Sequence, residues 1–127
     1  MEARLARRIR LFRDSGQVRP EVAAFVTAEL VALAGEGRHI TEDSAGMLTS
    51  HLLMALTRSL EGGPPAECAA SLAAELADHP EAVARARAVA VRAVRELGAE
   101  LSGPEILFLA LHFAVLRGNS SLRRDAS

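Results

Sequence analysis

The sequence predicts an all-α fold, a five-helix bundle, and three observations lead there. Apolar residues recur at three- and four-residue spacing in five separate stretches. Gly- and Pro-containing breaks divide those stretches. No segment alternates apolar and polar residues as a half-buried strand does. Composition agrees: half the chain is hydrophobic, with four Phe and no Tyr or Trp. Ala and Leu outnumber Val and Ile, so the core is aliphatic and helix-favouring.

The elements follow in order. Residues 1–16 form a basic N-terminal segment carrying Arg4, Arg7, Arg8, Arg10 and Arg13, closed by Asp14-Ser15-Gly16. Its positions 4, 7, 8 and 11 make a mixed Arg/Leu stripe, read as a solvated extension of the first helix or a dimer contact. The helical domain then occupies 17–118. Pro20 suits the first turn of a helix to about Ala34, with Val22, Phe25, Val26, Leu30 and Leu33 at helical spacing. Gly35 and Gly37 end it. Thr41 caps a second helix whose first turn is acidic, reaching about Leu60 with the stripe Leu48, Leu52, Ala55, Leu56 and Leu60. The Gly62-Gly63-Pro64-Pro65 break leads to a shorter helix over about Ala66 to Ala77. Pro80 opens the fourth, near 81–97, lined by Val83, Ala86, Ala90, Val94 and Leu97 and capped by Gly98. Ser102 and Pro104 start the fifth, which runs to about Leu116. Gly118 and Asn119 stop it, and the tail 119–127 reads as disordered.

Totals exclude several functions. At 127 residues the chain supports one domain and buries roughly two-thirds of its unfolded surface without a metal or disulfide. A lone cysteine, Cys68, fits a reducing compartment, and without a CxxC a structural zinc site has no support. The longest apolar run, Ile106 to Leu116, is about half of what a membrane-spanning helix needs. The Arg-rich N-terminus has no apolar stretch behind it that would make a secretory signal, so a soluble cytoplasmic domain is expected. With a net charge of −1, direct binding to nucleic acid is not expected. No phosphate-cradling Gly loop, nucleophile elbow or paired-carboxylate motif occurs, and no enzyme activity is expected.

Two histidines stand on apolar helices. His51 shares its face with Met47, Met54, Ala55 and Arg58; His112 shares one with Glu105, Phe108, Leu109 and Leu116. Burying imidazole without a hydrogen bond costs free energy, so each asks for a reason. A neutral imidazole is a good nucleophile toward an activated phosphoryl group at neutral pH. The product carries roughly −1.5 to −2 charges and favours nearby Arg donors. His51 and His112 are the candidate phosphoacceptors, with Arg58 and Glu105 supporting. Core histidines satisfied by backbone or water are the alternative. His39 and His79 fall in or beside loops, and no spacing brings two histidines onto one helical face as metal ligands.

The motifs Leu48-x-x-His51-Leu52-x-x-Ala55-Leu56-x-Arg58, then Pro80 followed by Glu81-Ala82-Val83, then Glu105-Ile106-x-x-Leu109-x-Leu111-His112 occur in that order. The stretch from Val22 to Phe113 thereby resembles a PTS regulation domain, the helical module of sugar-operon antiterminators and activators. Where many members carry an acid before the first histidine this chain has Ser50; an aromatic is replaced by Met54, and another by His79 before the Pro signal. The resemblance implies five helices, frequent homodimers, and reversible phosphorylation of His51 and His112 by the phosphocarrier HPr or an enzyme II component. It implies no cofactor. An output domain is not recognisable in the sequence, so a separate output or partner protein is expected. A phosphorylation-independent dimerisation or interaction module is the alternative reading.

Overall fold

A computed structural model describes residues 1–63 and 70–126, with side chains placed for 1–63 and 72–116. All the regular structure among the described residues is helical: six α-helices and a 3₁₀ turn. They are α1 (Ala3–Asp14), α2 (Pro20–Gly35), α3 (Glu42–Glu61), α4 (Ala70–Glu75) with the turn Leu76–Asp78 behind it, α5 (Pro80–Leu97) and α6 (Gly103–Ala126). Helices α5 and α6 pack most extensively on one another; α3 lies against α6, α1 and α2, and α2 also against α5.

The central helices follow their sequence stripes. Val22, Phe25, Val26, Leu30 and Leu33 of α2 are all buried, as are Leu48, Leu52, Ala55 and Leu56 of α3, with Leu60 partly covered. Helix α3 begins at a capping box: Thr41 Oγ1 accepts from the Ser44 amide, and Ser44 Oγ accepts from the Thr41 amide. It ends at Gly62 with φ +71°, a left-handed conformation that favours glycine. Thr49 and Thr57, buried on the same helix, donate to the carbonyls of Ala45 and Leu53. Two ion pairs fasten α2 and the turn after it to α5: Arg92 binds both carboxylate oxygens of Glu29 at 2.6 and 2.7 Å, and Arg85 pairs with Glu36.

Four expectations need correction. First, the basic segment 1–16 is neither an extension of the next helix nor outside the body. It is a helix of its own, turning at Gly16 (φ +81°) and burying Leu5 and Ile9 in the common core. Two apolar residues four apart on a long-armed Arg background suffice, because the Arg stems snorkel to solvent. The helix count rises to six among the described residues. Second, the third helix does not stay α-helical to Ala77 but tightens into 3₁₀ geometry over Leu76–Asp78; its expected start at Ala66, with Cys68 and the Pro64-Pro65 break, lies outside the described residues. Third, α5 buries Ala82, Val89 and Ala93 beside Ala86 and Ala90, while Val94 is exposed. The face is turned because small alanines let α6 approach closely there. Fourth, Gly118 and Asn119 do not end the last helix, which continues to Ala126. A glycine within a helix costs about 1 kcal/mol and does not by itself terminate one. No helix among the described residues is long and apolar enough to cross a membrane.

Candidate functional site

The site forms where α3 meets α6. The α6 N-terminus is held by a second reciprocal cap: Ser102 Oγ accepts from the Glu105 amide, and Glu105 Oε1 accepts from the Ser102 amide at 2.9 Å. Ahead of it, the Glu100 amide donates to Ser59 Oγ of α3 at 2.7 Å. These bonds fix the crossing of the two helices, and Leu109, Ala110, Phe113 and Leu116 seal it from below.

That crossing brings His51 and His112 together. Their ring centroids are 5.7 Å apart with the planes tilted by 58°, and Phe108 sits 5.4 Å from His51. Both imidazoles are half-buried along an open groove of about 580 Å³. Met47 and Met54 flank the histidines, and Arg8, Ser50 and Arg58 complete the groove's lining. Arg58 and Glu105, 47 residues apart in sequence, form an ion pair at 3.4 Å beside the rings. The Glu105 carboxylate is buried, whereas Arg58 keeps 39% of its side chain exposed. All four residues singled out in the sequence thus meet at one crossing.

Electrostatics favour neutral rings. Burial pushes the His51 pKa below its usual 6.5, the Arg58 charge pushes it further, and Glu105 works against them. Burial and the neighbouring His51 push His112 in the same direction. His51 Nε2 is sealed from solvent and has no hydrogen-bond partner. A neutral imidazole nitrogen that reaches the groove can take a phosphoryl group from a donor whose own nitrogen leaves with the bonding pair, and adjacent guanidinium groups can neutralise the product. His51 Nε2 can do so only once uncovered.

A pH dependence of stability follows. In the unfolded chain both histidines titrate near 6.5, while in the fold their pKa values are lower. Below about pH 6.5 the unfolded state therefore binds more protons, and stability rises with pH through that window. The melting temperature is expected to fall between pH 7 and 5, and His51→Gln with His112→Gln should flatten that slope. The depressed carboxylates Glu2 and Glu42 add their own loss only at lower pH, below their usual 4.5. A melting temperature that holds steady or rises on acidification from pH 7 to 5 would contradict the assignment.

Sequence reasoning missed one contributor. Arg8 of α1 lines the same groove and donates from Nη1 to Ser50 Oγ at 2.9 Å. The hint in the sequence is that Arg8 falls between Leu5 and Ile9, the two residues that make the buried face of α1. His39 lies in the loop before α3 and His79 at the start of α5, neither of them lining the groove. Among the described residues no three His, Cys, Asp or Glu side chains cluster as a metal site would require.

Comparison with protein-family models, with characterised proteins and with solved structures finds no match to this chain.

Proposed function

We propose that this protein is a non-enzymatic regulatory module of the PTS-regulation-domain type, controlled by phosphorylation of His51 and His112. The observation that carries the reading is the pairing of two neutral imidazoles, 5.7 Å apart, in an open groove lined by two arginines. In sequence those imidazoles lie in the two motifs that resemble the family's phosphoacceptor segments. The phosphodonor is HPr or an enzyme II component, and the output is a separate protein or the second copy of a homodimer, in the cytoplasm. New charge on either ring alters the α3–α6 crossing, because a phosphoryl group competes with Glu105 for Arg58.

Incubation with phosphoenolpyruvate, enzyme I and HPr, followed by intact-mass measurement, tests the proposal. Wild type is expected to gain about 80 Da per phosphoryl group, acid-labile as a phosphoramidate is, and His51→Ala/His112→Ala to gain none. Absence of added mass in wild type removes the mechanism. The interaction-module reading draws on Met47, 79% exposed at the groove's edge beside the partly exposed Met54, since methionines suit adaptable protein contacts. Partner affinity unchanged in both histidine variants would favour it.

A further inference from the structure

We propose that Arg8, seated on Gly46 and bonded to Ser50, is an anchor of a phosphate-binding site in the histidine groove, which couples α1 to the group held there. The inference rests on the phosphoacceptor reading of the groove and adds a residue from outside the stretch that resembles the family.

Three features of the structure support it. The first is the guanidinium's pose. Its Nε and Nη2 face Glu42 and its Nη1 donates to Ser50 Oγ, so three of its N–H groups are engaged and two remain. The remaining N–H groups lie on the two terminal nitrogens and are open to an anion, while Glu42 shares the guanidinium's charge and competes with that anion for it. Ser50 Oγ accepts from Arg8, which leaves its own proton to donate into the groove beside His51.

The second is Gly46. It stands inside α3, where glycine is disfavoured relative to alanine by about 0.5–1 kcal/mol. A Cβ there would lie 3.1 Å from Arg8 Nη2 and 3.3 Å from Arg8 Cζ and Nε. Lacking a side chain, the helix surface accepts the guanidinium flat against it. One turn later on the same face come Ser50 and then His51.

The third is the way α1 is fastened. Glu2 accepts from the Arg4 amide with one oxygen and from the Glu42 amide at 3.0 Å with the other, clamping the starts of α1 and α3 together. Arg8 thus projects into the groove from a helix whose start is tied to the start of α3. The opposite cation, Arg58, makes one bond to buried Glu105 at 3.4 Å, and Arg8 pairs with Glu42, so both guanidinium groups are partly engaged and both line the groove.

The ligand class is a phosphoryl dianion, either the free ion or the group on a histidine. The full-length protein is titrated with inorganic phosphate at low ionic strength while the His51 and His112 imidazole resonances are followed by NMR. Wild type should show saturable, millimolar binding. Loss of a charge-assisted hydrogen bond in Arg8→Gln should weaken it by about tenfold or more, with Arg8→Lys in between. Arg10→Gln removes the same charge from an exposed site of α1 and should change little. Gly46→Ala should weaken binding while leaving helix content intact.

Glu42→Gln separates an anion anchor from a merely structural arginine. It breaks the same pair yet leaves the cation in the groove, so phosphate should bind more tightly; a purely structural role makes it behave like Arg8→Gln. Equal binding in wild type and Arg8→Gln, or weakened binding in Glu42→Gln, overturns the proposal, as does absence of phosphate binding in wild type. The mass measurement above judges the phosphotransfer reading on its own. Protein already phosphorylated should no longer take up free phosphate; undiminished uptake would assign the site to the free ion alone and overturn its role toward phosphohistidine.

Discussion

Glu105→Ala is expected to lower the free energy of unfolding by about 2–4 kcal/mol, measured by urea denaturation of the folded variant. The carboxylate is almost fully buried and has two tasks. One oxygen accepts from the Ser102 amide, closing the cap of α6; removing it orphans a backbone donor and loses a cap of about 1 kcal/mol. The other oxygen meets Arg58 across the α3–α6 crossing. Losing that pair costs less than a sealed ion pair would, because Arg58 remains partly in water and can hydrate. A small void adds the rest. Glu105→Gln keeps the volume and one acceptor for the cap but loses the charge and sets an amide NH2 against Arg58, so its loss should be about 1–2 kcal/mol, smaller than that of the Ala variant. Equal losses for the Ala and Gln variants would show that the charge alone matters and that the cap contributes nothing. Because Glu105 opposes the downward push on His51, either variant should also lower the His51 pKa further.

The sequence makes some of this legible and hides the rest, for physical reasons tied to particular residues. Stripes on α2 and α3 read correctly because leucines and valines at three- and four-residue spacing leave one possible buried face. Helix α5 reads less well. Its inner face is built largely of alanine, so Val94 looks like a core residue while Ala93 occupies the core. Helix α1 disappears behind its arginines; Leu5 and Ile9 are too few to stand out, although each is buried. At the site, local pattern marks His51, Arg58, Glu105 and His112, since each stands out on an apolar helix. What local pattern cannot contain is the crossing of α3 and α6, which depends on side-chain volumes and loop bonds such as that from Glu100 to Ser59. The Arg58–Glu105 contact is a product of that crossing. So is the approach of Arg8, whose neighbours Glu42 and Ser50 lie 34 and 42 residues away.

Simultaneous phosphorylation of both histidines is expected to be strongly disfavoured, so that the groove holds one phosphoryl group at a time. Each group carries roughly −1.5 to −2 charges at neutral pH. The rings that would bear them are 5.7 Å apart. Two such charges some 6–8 Å apart repel by about 1–3 kcal/mol even at the dielectric constant of water, which is roughly a 10- to 100-fold penalty on the second addition. The half-buried groove has a lower effective dielectric, so the penalty there is larger. Both imidazoles line the groove that Arg8 and Arg58 also line, so a cation that turns to the first phosphoryl group is lost to the second. Intact-mass spectra taken through a time course of phosphotransfer should therefore show the singly modified species accumulating, with the doubly modified one far below the product of the single-site occupancies. Added salt should relieve the exclusion only partly, because screening acts weakly on half-buried charges. A doubly modified population at the level expected for independent sites would mean that the two rings separate on phosphorylation, and with it that the α3–α6 crossing opens rather than holding its charge in place.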